Sequence, residues 1–410
     1  MAEVLTNAEK KVAIYNSNGN PTKSVEVNPD TPLELLNMNW TEKELPEKIR
    51  TKHVNRLHPY LGKFIPQLVE IFLRKYFEPS QTVLDPFCGS GTTLVQANEL
   101  GINSIGFDVS EFNVLLVKVK TGKYDINLLK KETYDLIKRT EEIALKKANK
   151  KDLFSDLVQS NGSFETDNEY LNTWFASKAL TELLIFRTLL NDYKNKDLFK
   201  IVLSRSARSA RLTTHFDLDF PKKPQTEPYH CYKHDRICQP TDEALKFLKR
   251  YSIDTLNRII EYSKLRTNAS VEIRHADSRF AKTKKVDGII TSPPYVGLID
   301  YHDQHNYAYN LLDLKDNSEM EIGAAKNGIS KRAKEEYKTA MADVFRNTAK
   351  YVKEDGKIII IAGDRDNLYR EIGEMANLDL EHVVERHVNR RTGRRSNEFF
   401  ESIFIYTKRK

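Results

Sequence analysis

Thr82-Val83-Leu84-Asp85-Pro86-Phe87-Cys88-Gly89-Ser90-Gly91-Thr92-Thr93 is the stretch on which the reading of the fold turns. Thr82 to Phe87 reads as a buried strand, and Cys88 to Thr93 as a glycine turn. Leu94 to Leu100 reads as a helix that Gly101 ends. Ser104 to Asp108 (SIGFD) is a second strand closed by an acid. Strand, glycine loop, helix, strand and acid make the nucleotide-binding half of a doubly wound α/β sheet. Upstream, Pro66 opens an amphipathic helix with Leu68, Val69, Phe72, Leu73 and Phe77 on one stripe. Residues 1–52 are polar and rich in Asn and Pro, and read as an arm.

Downstream the pattern turns helical and charged from 126 to 265, with no strong strand. Its periodic segments are Leu128 to Lys150, Trp174 to Tyr193 and Phe199 to Arg211. This region reads as an insertion that splits the sheet. Strands resume at Val271 to Arg274, Val286 to Ile290 and Lys357 to Ile361. His382 to Asn389 and Phe399 to Lys408 alternate around an arginine-rich turn, which predicts an antiparallel hairpin at one sheet edge. Five parallel strands and that hairpin give a seven-stranded sheet. The expected division is therefore an arm (1–52), a first sheet half (53–125), a helical insertion (126–265) and a second sheet half (266–410).

With 410 residues the chain can bury a large core. Lys and Arg outnumber Asp and Glu by 65 to 58, a mild excess that suits a polyanionic partner without demanding one. Three cysteines exclude a disulfide framework and suit a reducing cytosol. The first residues lack an apolar signal region, and no run reaches the roughly 18 apolar residues of a membrane span. The expectation is a cytoplasmic protein.

The glycine turn is neither the dinucleotide G-x-G-x-x-G nor a phosphate-binding loop ending in Gly-Lys-Ser/Thr. It still brings backbone N–H groups close to a ligand. Asp85 stands where a carboxylate accepts from a cationic amine, and Asp108 where it accepts from ribose hydroxyls. No Arg or Lys in the loop holds phosphate. A ligand with an ammonium and a ribose but no phosphate is favoured, and S-adenosylmethionine is one.

Thr291-Ser292-Pro293-Pro294-Tyr295 closes the Val286 strand. Two prolines stop the ladder and fix the backbone. They would aim the Ser292 hydroxyl, the Pro293 carbonyl and the Tyr295 ring into one space, suited to a flat nucleobase held by its amino group.

Together these segments resemble the S-adenosylmethionine-dependent DNA amino-methyltransferases, which methylate the exocyclic nitrogen of cytosine or adenine. The resemblance is carried by DPFCGSGTT (Asp85 to Thr93), GFD (Gly106 to Asp108), HADS (His275 to Ser278), TSPPY (Thr291 to Tyr295) and HPYLGKFIP (His58 to Pro66), over roughly half the chain. It implies a Rossmann-like methyltransferase sheet. It also implies cofactor contacts from Asp85, Pro86, Phe87, Gly89, Gly91, Thr92, Thr93, Asp108, Asp277, Ser278, His58 and Tyr60. Catalytic roles would fall to Ser292, Pro293, Pro294 and Tyr295. Serine at the head of the tetrad is typical of the cytosine-N4 branch, whereas adenine enzymes more often carry Asp or Asn. The glycine loop here precedes the tetrad, while many members run the other way. Adenine-N6 methylation and RNA guanine-N2 methylation stay open, as does a non-enzymatic DNA-binding subunit. The resemblance further implies double-stranded DNA as partner and a microbial restriction-modification setting, with a restriction endonuclease acting separately; it leaves monomer or dimer open.

Arg205, Arg208 and Arg211 recur every three residues and share a helical face that could track phosphates. Arg386, Arg390, Arg391, Arg394 and Arg395 crowd the terminal turn, and DNA contact is expected there. His230, Cys231, His234 and Cys238 could ligate zinc but match no standard finger spacing, so no metal is assigned. Tyr301 to Tyr307 is polar and aromatic, and suits either a base pocket or a capped helix start.

Overall fold

A computed structural model describes residues 11–13, 23–41, 43–149, 164–215, 217–218, 220–388 and 399–409. Its strands are β1 (Lys11–Ala13), β2 (Thr82–Asp85), β3 (Asn103–Asp108), β4 (Tyr229–Cys231), β5 (Arg236–Cys238), β6 (Val271–His275), β7 (Val286–Thr291), β8 (Val352–Ala362), β9 (Leu378–Val388) and β10 (Phe399–Lys408). The main sheet has the order β1-β9-β10-β8-β7-β2-β3-β6. Strands β6, β3, β2, β7 and β8 run parallel, and β10 is antiparallel to both β8 and β9. These are the seven strands expected. An eighth, β1, comes from the arm and lies parallel to β9, with Lys11 opposite Val383.

The order in which the chain lays down strands reverses at β2, whose neighbours are β3 on one side and β7 on the other. That is the topological switch point where α/β sheets open a crevice beyond their carboxyl ends. The glycine loop leaves β2 and the double-proline corner leaves β7, so the fold sets the two motifs at the same crevice.

The isoleucine run of β8 shows how the sheet is held. Ile358 and Ile360 pack on one face beneath the helices Lys331–Ala349 and Tyr369–Met375. Ile359 and Ile361 pack on the other, against the helix Pro66–Tyr76. A strand buried on both faces needs no polar alternation, which is why it reads as an unbroken apolar run. The arm joins this second face. Val27, Leu33, Leu36 and Met38 are buried in the same cluster.

The insertion builds its own apolar core, which merges with the sheet through Phe112, Leu115, Leu116 and Val119 of the helix Glu111–Thr121. Its helices are Ile126–Asn149, Glu169–Trp174, Ser177–Leu189, Lys196–Ala210 and Leu245–Ser263. Trp174 ends its own short helix rather than opening the next one. The Glu182 carboxylate accepts from the backbone N–H groups of Ala244 (2.6 Å) and Leu245 (2.7 Å), satisfying the start of the last of these helices. Against expectation the insertion also holds a strand pair, the antiparallel β4–β5 hairpin.

The arginine face of Lys196–Ala210 turns inward, which corrects its reading as a phosphate track. Arg205 donates to Asp254 at 2.6 Å and lies over the Tyr251 ring. Arg208 is buried. Arg211 is 3% exposed, donates to the Leu218 carbonyl and stacks over Tyr307. Spacing by threes places residues on one face but does not say which way the face points. Arg386 is likewise buried and paired with Glu401 (Nη2 to Oε2, 2.6 Å), so it is not part of an exposed cluster. Arg390, Arg391, Arg394 and Arg395 lie outside the described residues.

Candidate active site

A cleft at the switch point encloses, with its open mouth, about 830 Å³. Its lining includes Tyr60, Pro86, Phe87, Gly89, Thr92, Asp108, Asp277, Ser278, Ser292 and Pro294, so the glycine loop, the strand-end acid, the HADS segment and the tetrad converge. Gly91, Thr93, Asp85, His58, Pro293 and Tyr295 are not on its wall.

The loop requires glycine for steric reasons. Gly91 has φ +79°, and a Cβ there would lie 2.7 Å from Val117 Cγ2. Gly89 has φ +49°, and a Cβ would meet the Tyr60 hydroxyl at 3.2 Å. Left-handed backbone turns the loop's N–H groups inward at little cost only when the residue is glycine. One of them, Gly89 N–H, donates to Asp108 Oδ2 at 2.7 Å.

Asp108 is the best-prepared acceptor. Its Oδ1 takes hydrogen bonds from Ser110 N–H (2.8 Å) and Asn113 Nδ2 (3.1 Å). These three donors leave roughly one of about four lone-pair directions open. Asn113 also donates to the Tyr60 hydroxyl at 3.1 Å, tying the acid to that aromatic ring. Ser110 caps the helix that follows, through its side chain to Asn113 N–H. Neither Ser110 nor Asn113 is among the sequence-derived candidates, although a serine two residues past the strand-end acid carries an N-cap signal.

Asp85 sits beneath the loop instead of on the wall. It is fully buried, with Oδ1 accepting from Thr291 Oγ1 (2.6 Å) and Phe87 N–H (3.2 Å). It thereby bolts the carboxyl end of β2 to that of β7, the residue just before Ser292. Ser278 Oγ adds a third tie, to the Pro86 carbonyl at 2.6 Å. His58 is buried between Ser204 Oγ (3.1 Å from Nε2) and Phe112, and Tyr60 alone of that pair reaches the cleft.

The tetrad splits in the same way. Among the described residues the Ser292 hydroxyl has no hydrogen-bond partner, while the Pro294 carbonyl accepts from Tyr337 at 2.8 Å. Tyr295 donates its hydroxyl to Glu401 at 3.0 Å and packs close to Gly363. Its ring fixes the corner instead of facing the cleft. Cys88 is buried and its thiol is pushed well up by burial, which removes it as a nucleophile.

Of the lining carboxylates, Asp277 is held by Arg279 (Nη2 to Oδ2, 2.6 Å) and Glu321 by His302 Nδ1. Asp108 has only neutral donors. Lys63, on the wall, turns its ammonium to the Asn55 carbonyl (2.7 Å), and burial lowers it to about 8. The cleft thus suits a cation with hydroxyls rather than a phosphate, and Phe87, Ile322 and Val344 offer apolar wall for a flat ring. Glu321, His302 and Tyr301 come from the polar segment after the tetrad and from a loop with no motif of its own.

Similarity to known proteins agrees with this geometry. The N6/N4 methyltransferase family model, described as DNA methylase, matches residues 3–119. Type II methyltransferase M.MjaII of Methanocaldococcus jannaschii is 40% identical over 88% of this chain and 81% of its own. The chain belongs to the DNA amino-methyltransferases of the N4/N6 family. Type II methyltransferase M.BsoBI of Geobacillus stearothermophilus is 29% identical over 62% of this methyltransferase and 51% of itself. Among solved structures, TrmN from Thermus thermophilus is 12% identical with a TM-score of 0.34, covering 85% of this chain and 50% of that one. The methyl donor of the family is S-adenosylmethionine, and the donor set of the cleft fits it. No described helix of this methyltransferase is long and apolar enough to cross a membrane.

Burial raises the Asp108 carboxyl from 3.8 to about 6, against the bonds from Ser110, Asn113 and Gly89 that favour its charged form. Asp85 is raised to about 6 in the same way, against Thr291, Thr93 and Phe87. The sign for folding is that both acids stabilise the ligand-free protein below 3.8, and this is lost as pH rises through about 6. Cofactor affinity runs the other way, because a ribose hydroxyl donates more strongly to the ionised Asp108 than to its neutral acid. Calorimetric titration with S-adenosylmethionine is expected to show affinity rising with pH through about 6 and then levelling, and Asp108→Asn is expected to flatten that rise. A rise of the same size in Asp108→Asn would place the titrating group elsewhere.

Proposed function

We propose that this methyltransferase transfers a methyl group to the exocyclic N4 amine of a cytosine flipped out of double-stranded DNA. The observation that carries the reading is the Ser292 hydroxyl, without a protein partner among the described residues, on the wall of the cleft that also holds Asp108. An exocyclic amine is a poor nucleophile because its lone pair is delocalised into the ring. Ser292 Oγ accepts one of its protons, favours a pyramidal nitrogen and directs the lone pair, while Pro293, off the wall, fixes the corner that aims the serine. When bound, S-adenosylmethionine supplies an electrophilic methyl on a sulfonium. Alignment and electrostatics therefore provide most of the acceleration. Methyl transfer leaves the nitrogen strongly acidic, and its surplus proton passes by way of Ser292 Oγ to water.

Asp108, Tyr60 and the N–H groups of the glycine loop hold the donor, and Asp277 is assigned to its adenine ring. Asp85, His58 and Tyr295 position the corner and the loop from behind, and Ser278 ties the loop to the HADS segment at the wall. Flipping a base costs a few kcal/mol, so contacts around the extruded base have to return about that much. The insertion, residues 126–265, is assigned target recognition. The likeness to type II methyltransferases favours a cytoplasmic restriction-modification enzyme whose endonuclease acts separately.

The deciding experiment uses labelled S-adenosylmethionine, duplex DNA and nucleoside analysis of the product. N4-methylcytosine is expected. N6-methyladenine would overturn the base assignment, and label in RNA alone would overturn the substrate. For the terminal turn, Arg394→Glu with Arg395→Glu is expected to weaken DNA binding and reduce the slope of log K against log salt by about 2, one unit for each phosphate left without its arginine. An unchanged slope removes those residues from the DNA interface.

A further inference from the structure

The β4–β5 hairpin is two strands of three residues, a size that is marginal on its own in water. It leaves Tyr232 83% and Ile237 62% exposed. Yet Cys231 and Cys238 within it are buried, and neither belongs to an apolar cluster of the described residues. Buried outside every apolar cluster of the described residues, the two cysteines are not filling the core as small hydrophobes.

What the two sulfurs face is nitrogen. Cys231 Sγ lies 3.5 Å from His234 Nδ1 and 3.6 Å from His215 Nδ1, and Cys238 Sγ lies 3.5 Å from His234 Nδ1. All four ligand atoms fall within 4.8 Å of one another. In a tetrahedral zinc site with Zn–S of about 2.3 Å and Zn–N of about 2.05 Å, the sulfur-to-nitrogen edge is about 3.55 Å. Three such edges are already at that length. Hydrogen bonding alone does not account for them, because two thiols address one Nδ1, and a neutral imidazole nitrogen offers a single lone pair. Tyr229 also competes, its hydroxyl 2.9 Å from His215 Nδ1.

We propose that His215, Cys231, His234 and Cys238 form a structural zinc site. Four protein ligands close the tetrahedron and leave no position for substrate, so the metal's role is to staple the hairpin to the segment that follows the helix Lys196–Ala210. The set differs from the sequence expectation by one residue. His230 turns away to Asp235 (3.6 Å), and His215, from 16 residues before Cys231, takes its place. The β4–β5 register explains this, since Cys231 pairs with Arg236 and Tyr229 with Cys238, which sets both cysteines on one face of the hairpin and His230 on the other.

The test is metal analysis of the purified 410-residue chain after dialysis into metal-free buffer under reducing conditions. One zinc per chain is expected. Replacement by cobalt(II) is expected to give thiolate-to-cobalt charge transfer in the near ultraviolet and strong tetrahedral d–d bands. Cys231→Ser and Cys238→Ser are each expected to lose the metal. His215→Ala is expected to weaken retention against a chelator at least tenfold. His230→Ala and Tyr229→Phe are expected to keep the full complement. A wild-type chain that takes up no zinc when supplied with it overturns the proposal, as does a Cys231–Cys238 disulfide in its place. So does zinc retained equally in both serine variants, or lost equally in His230→Ala. Cobalt spectra of the wild-type chain keep the test decisive if a serine variant fails to fold.

Discussion

Ser292→Ala is expected to lower kcat on cognate DNA by about 10²-fold, roughly 3 kcal/mol, with cofactor affinity nearly unchanged. The serine stands at the head of the corner and its hydroxyl is uncommitted among the described residues. Its bond to the amine strengthens as the nitrogen becomes pyramidal, so its loss falls on the transition state and not on ground-state binding. Single-turnover methylation measured beside calorimetric cofactor binding separates the two. Should cofactor affinity fall as far as kcat, Ser292 is part of the donor's wall and the amine is held by something else.

Arg386→Met is expected to destabilise the fold by about 3–5 kcal/mol, the usual effect of stranding one member of a buried ion pair. Arg386 donates from Nε (2.7 Å) and Nη2 (2.6 Å) to Glu401 Oε2, and the other carboxylate oxygen of Glu401 receives the Tyr295 hydroxyl. Removing the arginine leaves a buried carboxylate whose remaining partner, a phenol, carries no charge. Urea unfolding reads the loss, and Arg386→Met with Glu401→Met together should recover most of it, because an apolar pair of similar volume replaces two desolvated charges. Were the single variant as stable as wild type, the pair would be ornamental to folding and Tyr295 would need another anchor. A partial loss of kcat in the double variant, with stability restored, would report Tyr295 set loose.

The parts of this molecule legible in its sequence are those where backbone geometry dictates residue type. Gly89 and Gly91 combine left-handed φ values with Cβ positions only 3.2 Å from Tyr60 and 2.7 Å from Val117, which glycine alone meets without strain, and prolines 293 and 294 stop a ladder. Strand, loop and strand-end acid are therefore readable, as is the sheet they imply. Direction is not. Arg205, Arg208 and Arg211 have the spacing of a face, but whether that face meets water or Asp254, Tyr251 and Tyr307 depends on helices far off in the chain. Arg386 likewise reads as one of five arginines until β9 is laid beside β10, which sets it opposite Glu401. Asp85 stands out in the sequence, but as a ligand for the donor's amine rather than a bolt between two strand ends. The distinction rests on Thr291, 206 residues away. His215 escapes a sequence reading because no local spacing links it to a hairpin that begins beyond three prolines.

A hydrogen bond couples the helical insertion to the cofactor cleft. Ser204, midway along a helix of the insertion, is bonded to His58, and two residues further on Tyr60 overhangs the glycine loop. Under the proposed function, a displacement of that helix on DNA would strain this link and, through the backbone, the aromatic ring above the glycine loop. Linkage makes any such coupling mutual: whatever the duplex does to the hold on the methyl source, the source does to the hold on the duplex.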